Sequence, residues 1–148
     1  ARQYRSLLEP EMAESICLDI LNIDESNQHA IVLYILALTD QLHHLEKQSQ
    51  VKVIQQAIDK LTSEYQRNYY VGLLNERQAR SLISQPMSRS FAYDYFVEAL
   101  RYYQQAEQLR PDNNDEATLR WNSCIRTIQK EKLQARRDSE DVLVDMES

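Results

Sequence analysis

The sequence predicts an all-α fold. Glycine occurs once, at Gly72, and proline three times, at Pro10, Pro86 and Pro111, so the chain has few of the sites that tight turns between strands require. The stretches between them are rich in Leu, Ala, Gln, Glu and Arg, residues of high helix propensity, and their apolar residues recur at steps of three and four. A chain of 148 residues is one domain's length, enough to bury a sizeable core. The expected division is a helical domain over residues 1–133 and an acidic tail over 134–148.

Pro10 suits the first turn of a helix, where no amide donor is needed, and opens a first helix over 10–23. Met12, Ile16, Ile20 and Ile23 share one face of it, with Cys17 and Leu21 beside them. After a turn at 24–27, a second helix over 28–42 is apolar all round its centre from Ala30 to Leu38, which marks it as covered on more than one side. Residues 43–50 read as a polar connector. A third helix over 51–61 places Val51, Ile54, Ala57, Ile58 and Leu61 at helical spacing. Ser63 with Gln66 resembles a capping box opening a fourth helix over 64–83, in which Glu76 and Arg80 read as a surface i,i+4 pair. Residues 84–90, with Pro86, form a loop, and Ser90 is placed to cap a fifth helix over 91–109. The sixth helix opens after Asn113 or Asn114 and runs to Leu133.

Within the fifth helix Ala99, Tyr103 and Ala106, followed by Pro111, read small-x3-aromatic-x2-small-x4-Pro. Small residues let a neighbouring helix approach, the large one fills the gap, and the proline stops the helix. A looser copy is Ala13, Cys17 and Ile20, with Glu25 where the proline would stand. Two copies point to repeated helical hairpins, and stacks of these commonly bind other proteins.

This arrangement resembles the tetratricopeptide repeat (TPR) family, whose unit is a helix–turn–helix of about 34 residues. Ala99, Tyr103, Ala106 and Pro111 match the second-helix signature of that family, and Ala13, Cys17 and Ile20 match it loosely. Gly72 fits the small residue the family sets midway along a first helix, where a neighbour passes close. The spacing departs from a regular repeat, because Ala13 and Ala99 stand 86 positions apart and the third helix has no signature. The resemblance implies antiparallel helical hairpins stacked as a short right-handed superhelix, with helices two, four and six lining a concave groove. By family position that groove takes His29, Val32 and Leu36 from helix two. Helix four supplies Gln66, Tyr69, Leu73, Glu76 and Arg77, and helix six supplies Thr118, Asn122 and Arg126. Guanidinium forks beside tyrosine and apolar area suit a peptide with an acidic group and apolar anchors. The implied function is a non-enzymatic module that binds a peptide or partner helix.

The remaining residues sort into function classes by charge and chemistry. The net charge is −6, and five of the acids (Asp138, Glu140, Asp141, Asp145, Glu147) lie in the last eleven residues, leaving a nearly neutral body with no basic stripe for nucleic acid. The longest apolar run, Ala30 to Leu38, is far short of the ~20 residues of a membrane span, and nothing resembles a signal peptide, so a cytoplasmic location is expected. Cys17 and Cys124 sit at apolar helical positions and read as buried, reduced thiols. There is no His-Glu-x-x-His, no Gly-rich phosphate loop and no Cys-x-x-Cys, so no catalytic residue, metal or cofactor is expected. Asp40, His43, His44 and Glu46 cluster in sequence, but adjacent helical histidines point about 100° apart and do not easily share a metal. Trp121 is expected to pack near Tyr103, and the run Phe91, Tyr93, Tyr95, Phe96, Tyr102, Tyr103 is mostly packing. The tail reads either as a solubilising segment or as a motif, Val142-Leu143-Val144, that docks in the groove of its own chain. The alternative to peptide binding is a structural domain that pairs with a second copy, as a homodimer, through the aromatic face of helix five or the end helices.

Overall fold

The computed structural model describes residues 9–42 and 49–135; among these there are six α-helices and no strand. They are α1 (Pro10–Ile23), α2 (Gln28–Thr39), α3 (Val51–Asp59), α4 (Glu64–Ile83), α5 (Arg89–Gln108) and α6 (Glu116–Lys130), with a 3-10 turn at Pro86–Ser88. No helix among the described residues is long and apolar enough to cross a membrane.

The helix starts follow local chemistry. Pro10 opens α1 as expected. The Asn27 side-chain oxygen accepts the Ala30 amide (3.0 Å) at the head of α2, and the Ser63 hydroxyl accepts the Gln66 amide (3.1 Å) at the head of α4. The expectation that Ser90 caps the fifth helix is corrected. The Ser88 amide bonds the Gln85 carbonyl at 2.8 Å, so the chain is already helical when it reaches Arg89, and Ser90 lies inside the first turn.

The ends show why two helices stop earlier than the apolar pattern suggests. At the end of α2 the Gln41 and Leu42 amides bond carbonyls three residues back, at 3.1 and 3.2 Å. Lys60 and Leu61 do the same after α3, at 3.1 and 3.0 Å. The last turn tightens to 3-10 geometry while Leu42 and Leu61 still reach the core. α6 closes with a Schellman motif. Lys132 takes a left-handed φ of 53°, its amide bonds Gln129 (3.2 Å), and the Leu133 amide reaches back to Ile128 (3.0 Å). Leu133 is thereby folded down into the core.

Each helix packs on its neighbour in sequence, α2 also touches α4, and the most extensive contact is between α4 and α5. Two apolar clusters result. One joins α2, α3 and α4 through Ile31, Ile35, Leu38, Ile54, Ile58 and Leu74. The other joins α4, α5 and α6 through Tyr69, Ala79, Phe96, Tyr103, Ala117 and Cys124. α2 is covered on several sides, as its composition predicts.

On α5 the buried residues are Ala92, Phe96, Ala99, Tyr103 and Ala106, a heptad seam of alternating small and large side chains. The small-aromatic-small spacing therefore extends one heptad upstream of Ala99. Tyr103 lies against Gly72. A Cβ built on that glycine would sit 2.7 Å from the ring, so the seam needs the missing side chain.

Of the looser signature on α1, Ala13 and Cys17 pack as expected and Ile20 does not. Ala13 and Cys17 are the buried residues of α1, whereas Met12 (53%), Ile20 (37%) and Ile23 (90%) are exposed. The helix approaches α2 by its small residues, and the stripe of larger ones faces away.

Replacing Gly72 with alanine adds helix propensity of about 1 kcal/mol but overpacks a buried ring. The expected net result is destabilisation of about 1–3 kcal/mol by urea unfolding.

Candidate interaction site

The expected groove residues do not share one surface. Tyr69, Leu73 and Glu76 are buried rather than lining an open surface; Tyr69 belongs to the α4–α5–α6 cluster and Glu76 bonds the Tyr103 hydroxyl. His29 is exposed, and Val32, Leu36 and Gln66 are half-buried, with Val32 packed on the α2–α3–α4 cluster. Arg77 leans to the α2 end, 3.9 Å from Asp40. Thr118 and Asn122 meet at one cleft, while Arg126 is exposed elsewhere on α6.

Glu76 and Arg80 do form the expected i,i+4 pair, at 2.7 Å, but not on the surface, because Glu76 is fully buried. The Tyr103 hydroxyl donates to one carboxylate oxygen at 2.7 Å. Arg80 Nε and an Arg120 guanidinium nitrogen donate to the other, at 2.7 and 3.4 Å. Arg80 also donates to the hydroxyls of Thr127 (2.9 Å) and Ser123 (3.1 Å) on α6, and its guanidinium lies over the Phe96 ring. One carboxylate on α4 thus ties α5 and α6 together. Burial alone would lower the Arg120 pKa, and the adjacent Glu76 carboxylate together with Tyr69 and Tyr103 more than reverses this, so the guanidinium stays charged. Burial, then the neighbouring carboxylate, push the Tyr103 phenol well above its ordinary range, which keeps it a donor. The same two causes raise the Cys124 thiol to about 12.

A second tie lies at the other end of these helices. Arg89 donates to the carbonyls of Ile83 (3.2 Å) and Glu131 (2.7 Å) and pairs with the Glu131 carboxylate at 3.4 Å, joining the end of α4, the start of α5 and the end of α6.

Between α5 and α6 these ties hold open a cleft of about 310 Å³, lined by Tyr103, Gln104, Glu107, Ala117, Thr118, Trp121 and Asn122. Trp121 lies near Tyr103, as its sequence position implies, and remains 37% exposed. Gln104 and Asn122 set amides on opposite helices, the pattern of a surface that pairs apolar contact with hydrogen bonding. Sequence reading gave Thr118 and Asn122 but not Gln104, Glu107 or Arg120. The signal for the first two is that they stand one and four positions after Tyr103, beside the seam.

Among the described residues, no group of three or more His, Cys, Asp or Glu is placed to hold a metal ion; His43, His44 and Glu46 lie outside the described residues, as does the 138–148 tail with Val142, Leu143 and Val144. Cys17 and Cys124 are both free and buried. Comparison with family models, with curated proteins and with solved structures found no match.

Removing a partner from the buried carboxylate is expected to cost more than neutralising it. Arg80→Ala leaves Glu76 charged and short of a donor, with an expected loss of about 3 kcal/mol. Glu76→Gln keeps the shape and frees two partly exposed guanidinium groups to water, with an expected loss of about 1–3 kcal/mol. Urea midpoints of the two variants check the order.

The Cys124 thiol is expected to resist alkylation until the protein unfolds. Its ordinary pKa of 9.0 rises to about 12 in the fold, so the unfolded chain releases this proton first. The corresponding stability is complete below pH 9, falls as pH rises, and is gone above about 12. Thermal melts across that window should show the decline, and Cys124→Ala should lessen it.

Proposed function

We propose that this chain is a non-enzymatic protein-interaction module, a short TPR-like stack of irregular helical hairpins that takes a peptide or partner helix beside α6. The observation that carries this reading is the α5–α6 cleft, where a half-exposed tryptophan stands among amide and hydroxyl groups on two helices. A peptide would seat an apolar side chain on Trp121 and offer its backbone to Gln104, Thr118 and Asn122. The Gly72–Tyr103 contact and the alanine ladder of α5 support the TPR-like reading, because they are the close approach that family signature serves. The groove is narrower than the family position implies, since Tyr69, Leu73 and Glu76 lie beneath it. Two free, buried thiols suit a reducing, cytoplasmic compartment.

A second reading is a self-associating structural domain. Exposed Phe91 and Val97 on α5 favour it.

The test is affinity capture from the source lysate with wild type, Trp121→Ala/Asn122→Ala and His29→Ala, after circular dichroism shows equal helicity. A partner held by wild type and His29→Ala but lost by the double variant is the expected outcome. A partner kept by all three removes the cleft from the reading. Light scattering that shows a stable dimer, broken by Phe91→Ser, would favour the structural domain instead.

A further inference from the structure

The exposed stripe of α1 is a surface apart from the α5–α6 cleft. Met12, Ile16, Ile20 and Ile23 follow one another at steps of four, four and three, so they run along one side of the helix for about 16 Å. Three of the four are exposed, and Ile23 is nearly bare at 90%. Ala13 and Cys17, about a quarter turn round the helix, are the residues buried in the fold.

The charges that α1 itself carries are all acidic, and Lys60 meets the helix on another side, in a cleft with Leu18, Leu21, Asn22 and Glu25. Glu9, Glu11, Glu14, Asp19, Asp24 and Glu25 accompany α1, and no Lys or Arg occurs from residue 9 to residue 42. Asp19 stands one helical turn from both Ile16 and Ile23, and Glu9 precedes Met12 by three positions. Glu14 is engaged on the α2 side, where it accepts the Gln41 amide at 2.9 Å. Glu9, Glu11 and Asp19 are exposed.

We infer that the outer face of α1 docks an amphipathic helix of another protein whose apolar stripe is flanked by lysine or arginine. Apolar area supplies the attraction, and the acidic border selects the flanks. A second copy meets the same surface with the wrong charge, because a two-fold pairing of α1 with itself sets acid beside acid.

The probe is a designed amphipathic peptide with a leucine stripe flanked by lysines, followed by fluorescence anisotropy; the control is the same peptide with glutamates for the lysines. The full chain should bind the lysine peptide, less tightly as salt is raised, and not the glutamate peptide. Met12→Ser/Ile20→Ser/Ile23→Ser should weaken binding by about tenfold or more. Asp19→Lys, which leaves the apolar stripe intact, should also weaken it, and Trp121→Ala should not. No binding by the lysine peptide, or equal binding by the triple variant, would overturn the inference. So would self-association of wild type that the triple variant abolishes, since the occupant would then be a second copy.

Discussion

The fold depends on one buried carboxylate. Glu76 is inside, within reach of Tyr103 on α5, Arg80 on its own helix and Arg120 on α6. Burying a carboxylate costs several kcal/mol, and strong donors are what offset that cost. All three must therefore arrive together, which fixes the rotation of α5 and α6 about α4. Apolar packing alone would tolerate several such rotations. The network thus acts on which packing is chosen more than on how stable it is.

The position of Glu76 follows from the seam next to it. Gly72 is one turn before it on α4, and Tyr103 can lie flat against the helix only because Gly72 has no Cβ. Its hydroxyl then reaches the carboxylate. The glycine's cost in helix propensity, about 1 kcal/mol, is offset by a close helix contact and a buried hydrogen bond.

Much of this was legible in the sequence. The lone glycine inside a helical pattern marks a close approach, and Ala99, Tyr103 and Ala106 mark a packing seam, although their meeting at Gly72 and Tyr103 shows only in the structure. The six helices are legible for the same reason: Pro10, Asn27, Ser63 and Pro111 mark their limits. Three features were not legible. Glu76 and Arg80 look like any solvated i,i+4 pair, because burial depends on what α5 and α6 bring over them. The Schellman ending at Lys132 lacks the usual glycine. On α1 Ala13 and Cys17 are legible as small packing residues, but the exposure of the larger stripe beside them is not, because it depends on what covers the helix. The site was legible only where it borders the seam. Thr118 and Asn122 meet at the cleft, whereas the other expected groove residues scatter, because position in a family pattern does not fix how far each helix is rotated.

α4 is the wall shared by both apolar clusters, giving Leu74 to one and Tyr69 and Ala79 to the other. A small tilt that relaxes its contact with α2 and α3 opens a gap against α5, and the reverse holds too, so the helix has little slack in either direction. Stiffness is concentrated in the middle of the stack. α1 packs mainly on α2, and compliance belongs to this outer helix, the one that carries the exposed stripe; α6, which borders the cleft, is fastened to α4 and α5 by Arg80, Arg120 and Arg89.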